Sequence, residues 1–261
     1  MHFIDSHCHL DRLELPDGVT LDQVLAEARG RGIKHFLNIG VEQDSFPQVL
    51  AIAEQYPDVS CSVGTHPLYE GIHAADFAWV RTAAAHPKVV AIGETGLDYY
   101  YTPDTAEAQQ RSFRAHIRLA RELGLPLIVH TRQAQADTLA LLKEEGASEY
   151  GGVLHCFTED WAMASAALDL GFYISLSGIV TFRNADSLRE VARKVPADRL
   201  LIETDAPWLA PVPYRGKSNL PSYVVEVAQC IARERQVELA TLAEQTTANF
   251  RRLFQRAVVT L

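Results

Sequence analysis

Short apolar runs alternate with helix-period segments from one end of this chain to the other, the pattern of βα units wound around a parallel sheet. Eight runs read as strands: Phe3–Ser6, Lys34–Ile39, Val59–Gly64, Val89–Gly93, Pro126–Val129, Gly152–Leu154, Phe172–Leu176 and Leu200–Glu203. VVAIG, LIV and LLI are apolar almost without a break, as expected of strands covered on both faces. The segments between them carry helix signals. Thr20 with Gln23 has the form of a capping box ahead of Leu21–Arg29, and Gly32 is a plausible stop. The longest helix is predicted over Thr105–Leu123, opened by Asp104 and Glu107 and closed by Gly124 and Pro126. Its apolar stripe is Phe113, Ile117, Ala120 and Leu123. Further helices are expected over Asp76–His86, Ala162–Leu170, Ser222–Arg235 and Leu239–Phe254. Ala206–Pro221, rich in Pro, Gly and polar residues, reads as a long functional loop.

No linker, repeat or low-complexity tract interrupts the pattern. Eight βα units in 261 residues match one (β/α)8 TIM barrel, for which roughly 250 residues is typical, so a single domain over 1–261 is expected. The chain is 48% hydrophobic and 22% charged, ordinary for a protein with a full core. No apolar run approaches the ~20 residues that span a bilayer, and the N-terminus shows no secretion signal. A cytoplasmic protein without a membrane partner is therefore expected. Cys8, Cys61, Cys156 and Cys230 have no CxxC spacing and read as reduced, mostly buried thiols. The formal net charge of −9 argues against an electrostatic grip on long duplex DNA. It leaves room for a phosphate substrate, because bound divalent ions would add local positive charge that this count omits.

The chemistry lies at the strand ends. His7 and His9 close the first run, in FIDSHCH; residues two apart in extended chain face the same side, so both imidazoles can address one ion. Glu94 closes VVAIGE, where a carboxylate is costly to bury unless it is paired or metal-bound, and its two oxygens can bridge two cations. His130 ends PLIVH, His155 ends GGVLH and Asp205 follows LLIET. A lone histidine in such a place is usually a satisfied core residue. Six such residues are different, because a parallel barrel delivers every strand end to one face. There they could hold one or two divalent ions and activate water. Asp205 could also accept a proton, and Glu203 could support it from behind.

His66 ends the third strand and points at the same mouth, suited to substrate contact or proton transfer. Arg132 could bind an anionic group. Arg215 and Lys217 flank Gly216 in the loop after the eighth strand, where TIM barrels often hold phosphate, though a basic loop is as often merely solvated. Tyr99, Tyr100 and Tyr101 could stack a base or simply pack over the rim. His116 lies off the apolar stripe of the long helix and is expected to be solvated. His2, His35, His73 and His86 have no strand-end placement.

These stretches, together with VGTHP (63–67), AIGETGLDY (91–99), LPLIVHTR (125–132), LHCF (154–157), LLIETDAPWLAP (200–211), RGKSN (215–219) and TANFRRLF (247–254), match a family. The chain resembles the TatD-type metal-dependent deoxyribonucleases of the amidohydrolase superfamily over essentially its whole length. The resemblance implies a somewhat distorted TIM barrel, a two-metal centre and hydrolysis of phosphoester bonds, with 3′ to 5′ removal of nucleotides from DNA. It implies that His7 and His9 hold one ion, that His130 and His155 hold the other, and that Glu94 bridges. Asp205 would bind metal and orient the attacking hydroxide. Two departures stand near the mouth: Thr158-Glu159-Asp160 follows HCF in place of a small residue and Gly, and Leu220 replaces Glu or Gln in the Asn-x-Pro after the RGK loop. No strand-end lysine is available to bridge ions, so Glu94 takes that role.

The expected substrate is a phosphoester, with single-stranded or short DNA foremost; the metals could be Zn, Mn, Mg or Co. The alternatives are hydrolysis of a carboxylic ester, lactone or cyclic amide at the same centre, or a non-catalytic metal- or nucleic-acid-binding barrel. The intact set of six ligands weighs against the last. Oligomeric state is open, and a monomer is compatible with everything read here.

Overall fold

Strands that are apolar on both faces need cover on both, and a barrel gives it: helices outside, the other strands' side chains within. The computed structural model, which describes residues 1–261, has this arrangement. Eight strands form one sheet in chain order: β1 (Phe3–Cys8), β2 (Ile33–Asn38), β3 (Val59–Val63), β4 (Val89–Asp98), β5 (Leu127–Arg132), β6 (Gly152–Leu154), β7 (Tyr173–Leu176) and β8 (Leu200–Ile202). Every neighbouring pair is parallel. The helices are α1 (Leu21–Gly30), α2 (Phe46–Gln55), α3 (Ala78–Ala83), α4 (Ala106–Leu123), α5 (Gln135–Glu144), α6 (Trp161–Asp169), α7 (Asp186–Lys194), α8 (Val224–Arg235) and α9 (Leu239–Leu253).

The sequence pattern locates all eight strands, but it stops β1, β4 and β5 too early. Their last residues are polar because they face the mouth, yet they remain in the ladder: Gly96 pairs with His130 and Asp98 with Arg132. Helices α2, α5 and α7 are not among those the pattern located. The capping box on α1 forms as read, Thr20 accepting from Gln23 N and Gln23 from Thr20 N.

Most of the core lies between sheet and helices, with Phe36, Phe113 and Phe172 fully buried. Each such side chain contributes about 1.5–3 kcal/mol. A second apolar group draws on Ile4, Leu37, Val90, Ile128, Val153, Tyr173 and Leu201, one from nearly every strand, which meet on the barrel axis. Phe250, Leu253 and Phe254, from α9 and the residue after it, pack against that group and plug one end. The opposite end, where the strands terminate, stays open.

The barrel is nearly closed. Ladders join each strand to the next, whereas the seam between β8 and β1 is held by individual bonds. The buried Asp5 carboxylate accepts from Thr204 N (2.9 Å) and Thr204 Oγ1 (2.6 Å). Asp205 N donates to the His7 carbonyl (2.9 Å), and His9 N to the Ala206 carbonyl (2.8 Å). Ser6 Oγ donates to the Ile202 carbonyl at 2.9 Å. No helix is long and apolar enough to cross a membrane. All four cysteines are free; three are buried, and Cys156 is partly exposed.

Candidate metal centre

The strand ends bring His7, His9, Glu94, His130, His155 and Asp205 to one point, with Glu94 at its middle. Glu94 Oε2 lies 3.4 Å from His7 Nε2 and 3.9 Å from His9 Nε2. Its other oxygen, Oε1, lies 2.6 Å from His155 Nε2 and 3.3 Å from His130 Nδ1. Asp205 Oδ1 joins the first side, 3.4 Å from His9 Nε2 and 3.7 Å from His7 Nε2. His66 joins the second, its Nε2 3.2 Å from Glu94 Oε1. One buried carboxylate thus faces a pair of imidazoles with each oxygen, plus a further group on either side.

Local backbone makes this possible. Gly96 has φ +139°, and a Cβ there would collide with the His130 carbonyl oxygen, so only glycine lets β4 approach β5 at the level of the site. Asp205 sits at φ +58° and Cys156 at φ +40°, sparsely populated conformations that concentrate at the mouth.

The donor set suits divalent metal. His155 Nε2, which faces the centre, is buried without a hydrogen-bond partner: it is close to Glu94 but out of line for a hydrogen bond. Buried polar atoms are rarely left so unless something else binds the cluster. Three sets of donors each fall within 4.8 Å of one another: His7/His9/Glu94, His66/Glu94/His130 and His7/His155/Glu203. The imidazole–carboxylate mixture is one that Zn, Mn, Co or Fe accepts.

Electrostatics agree. Burial would push the Glu94 carboxyl up, but the His155 and His66 charges, with the imidazoles of His130 and His155 close beside it, hold it well below the usual carboxylate range. Asp205 is likewise pushed up by burial, and the His9 bond with the His7 charge bring it below its ordinary value. Both are anions at neutral pH. Burial, and then the charge of His155, lower the pKa of His7.

A surrounding shell aims these groups. Glu203 Oε1 accepts from Cys156 N (2.7 Å) and lies 3.4 Å from His155 Nδ1, which turns His155 Nε2 to the centre. Asp98 Oδ2 lies 3.0 Å from His130 Nε2 and does the same for Nδ1 of that ring. Asp98 Oδ1 accepts from Tyr100 N and Tyr101 N, while Gln109 Oε1 accepts from Asp98 N. The sequence reading missed Asp98. Its signal was the two-residue spacing Glu94, Gly96, Asp98 in a strand ended too soon at Gly93. Asp5, which ties the seam, was missed because a strand-interior Asp has no motif of its own.

His116 corrects an expectation. It is fully buried, not solvated: Nδ1 bonds the Ser112 carbonyl (2.8 Å), and Nε2 accepts from Thr65 N (3.1 Å). From α4 it fixes the backbone beside His66, a role periodicity cannot show. Tyr99 is also structural, its hydroxyl bonded to Asp137.

Above the centre opens a cavity of about 630 Å³, whose wall includes His66, Tyr101, His130, Arg132, Thr158 and Trp208. The structure brings His66 and Arg132 into that wall but not Arg215 or Lys217, which are exposed outside it; the Arg215 guanidinium lies 4.2 Å from the Phe182 ring centroid. Chain position near a strand end does not fix which way a long side chain leans. Among the departures, Asp160 caps α6 through Met163 N, and Glu159 accepts from Gln133 N and Gln135 Nε2.

The family described as TatD related DNase matches residues 4–255. The chain belongs to this family. Among its relatives, the metal-dependent hydrolase YcfH of Escherichia coli (strain K12) is 52% identical over 255 residues, covering 97% of this chain and 96% of YcfH. The 3'-5' ssDNA/RNA exonuclease TatD of Erwinia tasmaniensis is 37% identical over 240 residues, covering 89% and 93%. The crystal structure of the TatD homolog YJJV from Escherichia coli K12 superposes with a TM-score of 0.89 at 30% identity, covering 97% and 98%. This TatD-family protein is accordingly a metal-dependent hydrolase on a TIM barrel, as the sequence resemblance implied.

Proposed function

We propose that this TatD-family hydrolase cleaves phosphodiester bonds in single-stranded or short nucleic acid, with two divalent ions divided by Glu94. His7, His9 and Asp205 would hold one ion, and His130 and His155 the other. The observation that carries this reading is the two-sided placement of Glu94, with one oxygen toward each imidazole pair. Bound there, the ions supply Lewis-acid polarisation of phosphoryl oxygens and a lowered water pKa.

The chain's own residues do the rest. Asp205 lines the cavity, and its Oδ1 is turned to His7 and His9, which leaves Oδ2 to accept the proton of the attacking water. His66 contacts the phosphate or its leaving oxygen from the opposite wall. Arg132 offsets phosphate charge. The cavity admits a flexible single strand or a frayed end more readily than duplex, and the −9 net charge gives duplex no long-range attraction.

The test is turnover by protein purified without chelator and supplied with Mg, Mn, Zn or Co. Substrates would be single-stranded DNA, RNA, duplex DNA and bis-p-nitrophenyl phosphate, against carboxylic esters, lactones and cyclic amides. Hydrolysis of single strands before duplex is expected. Turnover of the carbonyl substrates alone would replace the reading, and no turnover of any would leave a binding protein.

A further inference from the structure

Arg132 is the one arginine or lysine in the cavity wall, and no carboxylate lies within salt-bridge distance of it. Its guanidinium carbon sits 4.2 Å from the Tyr100 ring centroid and 4.7 Å from that of Tyr101, in the corner made by two rings that meet edge to face at 4.8 Å. The backbone that carries those rings is fixed from below. Asp98 Oδ1 accepts from both tyrosine amides, at 3.0 and 2.8 Å, while Oδ2 holds His130. Gln109 in turn ties Asp98 N and the Thr102 carbonyl to α4. An unpaired guanidinium is thereby held still with its N–H fork free, and a preorganised fork loses little freedom when an anion arrives.

Its position is specific. Arg132 lies two residues beyond His130 on β5, and a strand advances about 3.3 Å per residue, so its Cα stands about 7 Å farther along the strand toward the mouth than that of His130. With its guanidinium against Tyr100 and Tyr101 in the same cavity wall, an anion it binds lies toward the mouth from the bond addressed by His130 and Glu94.

We infer that Arg132, clamped by Tyr100 and Tyr101, forms a second phosphate subsite that takes the phosphate next to the scissile one. The enzyme then favours substrates bearing two phosphates one nucleotide apart. This rests on the phosphodiesterase reading and deepens it, since a hydrolase of simple monophosphates or carbonyl esters has no use for a second anion site. Internucleotide and terminal phosphates share this chemistry, and a dinucleotide series tells them apart by end.

The experiment uses the metal-loaded full chain on TpT, 5′-phosphorylated pTpT and 3′-phosphorylated TpTp. One phosphorylated form is expected to exceed TpT by about tenfold or more in kcat/KM, the usual scale for a charge-assisted bond, and its identity reports strand polarity. Arg132→Gln should reduce that ratio to near one, and Tyr100→Leu with Tyr101→Leu should reduce it through KM. The same preference should appear in equilibrium affinity on the Asp205→Asn background. Cleavage of TpT with no preference for either phosphorylated form, or a preference that survives Arg132→Gln, overturns the subsite and leaves the nuclease reading standing. Cleavage of none of the three overturns both.

Discussion

The proposed mechanism gives Glu94 and Asp205 different tasks, and substitution separates them. Asp205→Asn keeps an oxygen donor beside His7 and His9 but removes the proton acceptor. Turnover should fall by at least about 100-fold while metal content, measured by elemental analysis, stays near that of the parent. Near-parental turnover in that variant would reject Asp205 as the base. Asp98→Asn acts one step removed, through the ring of His130. It should weaken metal affinity or activity about 10–100-fold, the usual cost of losing an outer partner, and competition with a chromogenic chelator would show it. These residues also show what the sequence could and could not reveal. The proposed ligands, which the structure brings together, could be picked out because each stands where an apolar run meets a polar atom. Asp98 and His116 were not, because each acts on a neighbour visible only in three dimensions.

Elements were legible wherever the period of the pattern was strong. β6 was bounded exactly as the apolar run is, and α4 within a residue, because its stripe and its Gly124 stop agree. α2, α5 and α7 escaped although they are no shorter than α3, which was located. Packing between elements also sets a pH dependence. Burial depresses His35 on β2 and His116 on α4 to about 4. The folded state therefore binds fewer protons than the unfolded chain, whose histidines titrate near 6.5. Their contribution is complete above about pH 6.5 and is lost as pH falls toward 4, on the order of 3 kcal/mol for each. Urea midpoints measured at pH 7, 5.5 and 4.5 should fall in that order. His116→Leu should start lower and fall less steeply. A midpoint indifferent to pH across this window would contradict the account.

At the scale of the molecule, the ligand set spans the β8–β1 seam, with His7 and His9 on one side and Asp205 on the other. An ion bound there clasps an edge that no ladder holds. At a metal concentration about 1,000 times its Kd, linkage gives about 4 kcal/mol, or roughly 10 °C in Tm for a chain of this size. Chelation should lower Tm by that amount, and calorimetry with and without EDTA would measure it; an unchanged Tm would mean that the seam does not depend on metal. The same seam governs when activity can first arise. Translation yields the two opening histidines at once, but their counterpart is residue 205 of 261. A nascent chain on the ribosome therefore has no complete candidate site until about four fifths of it has been made.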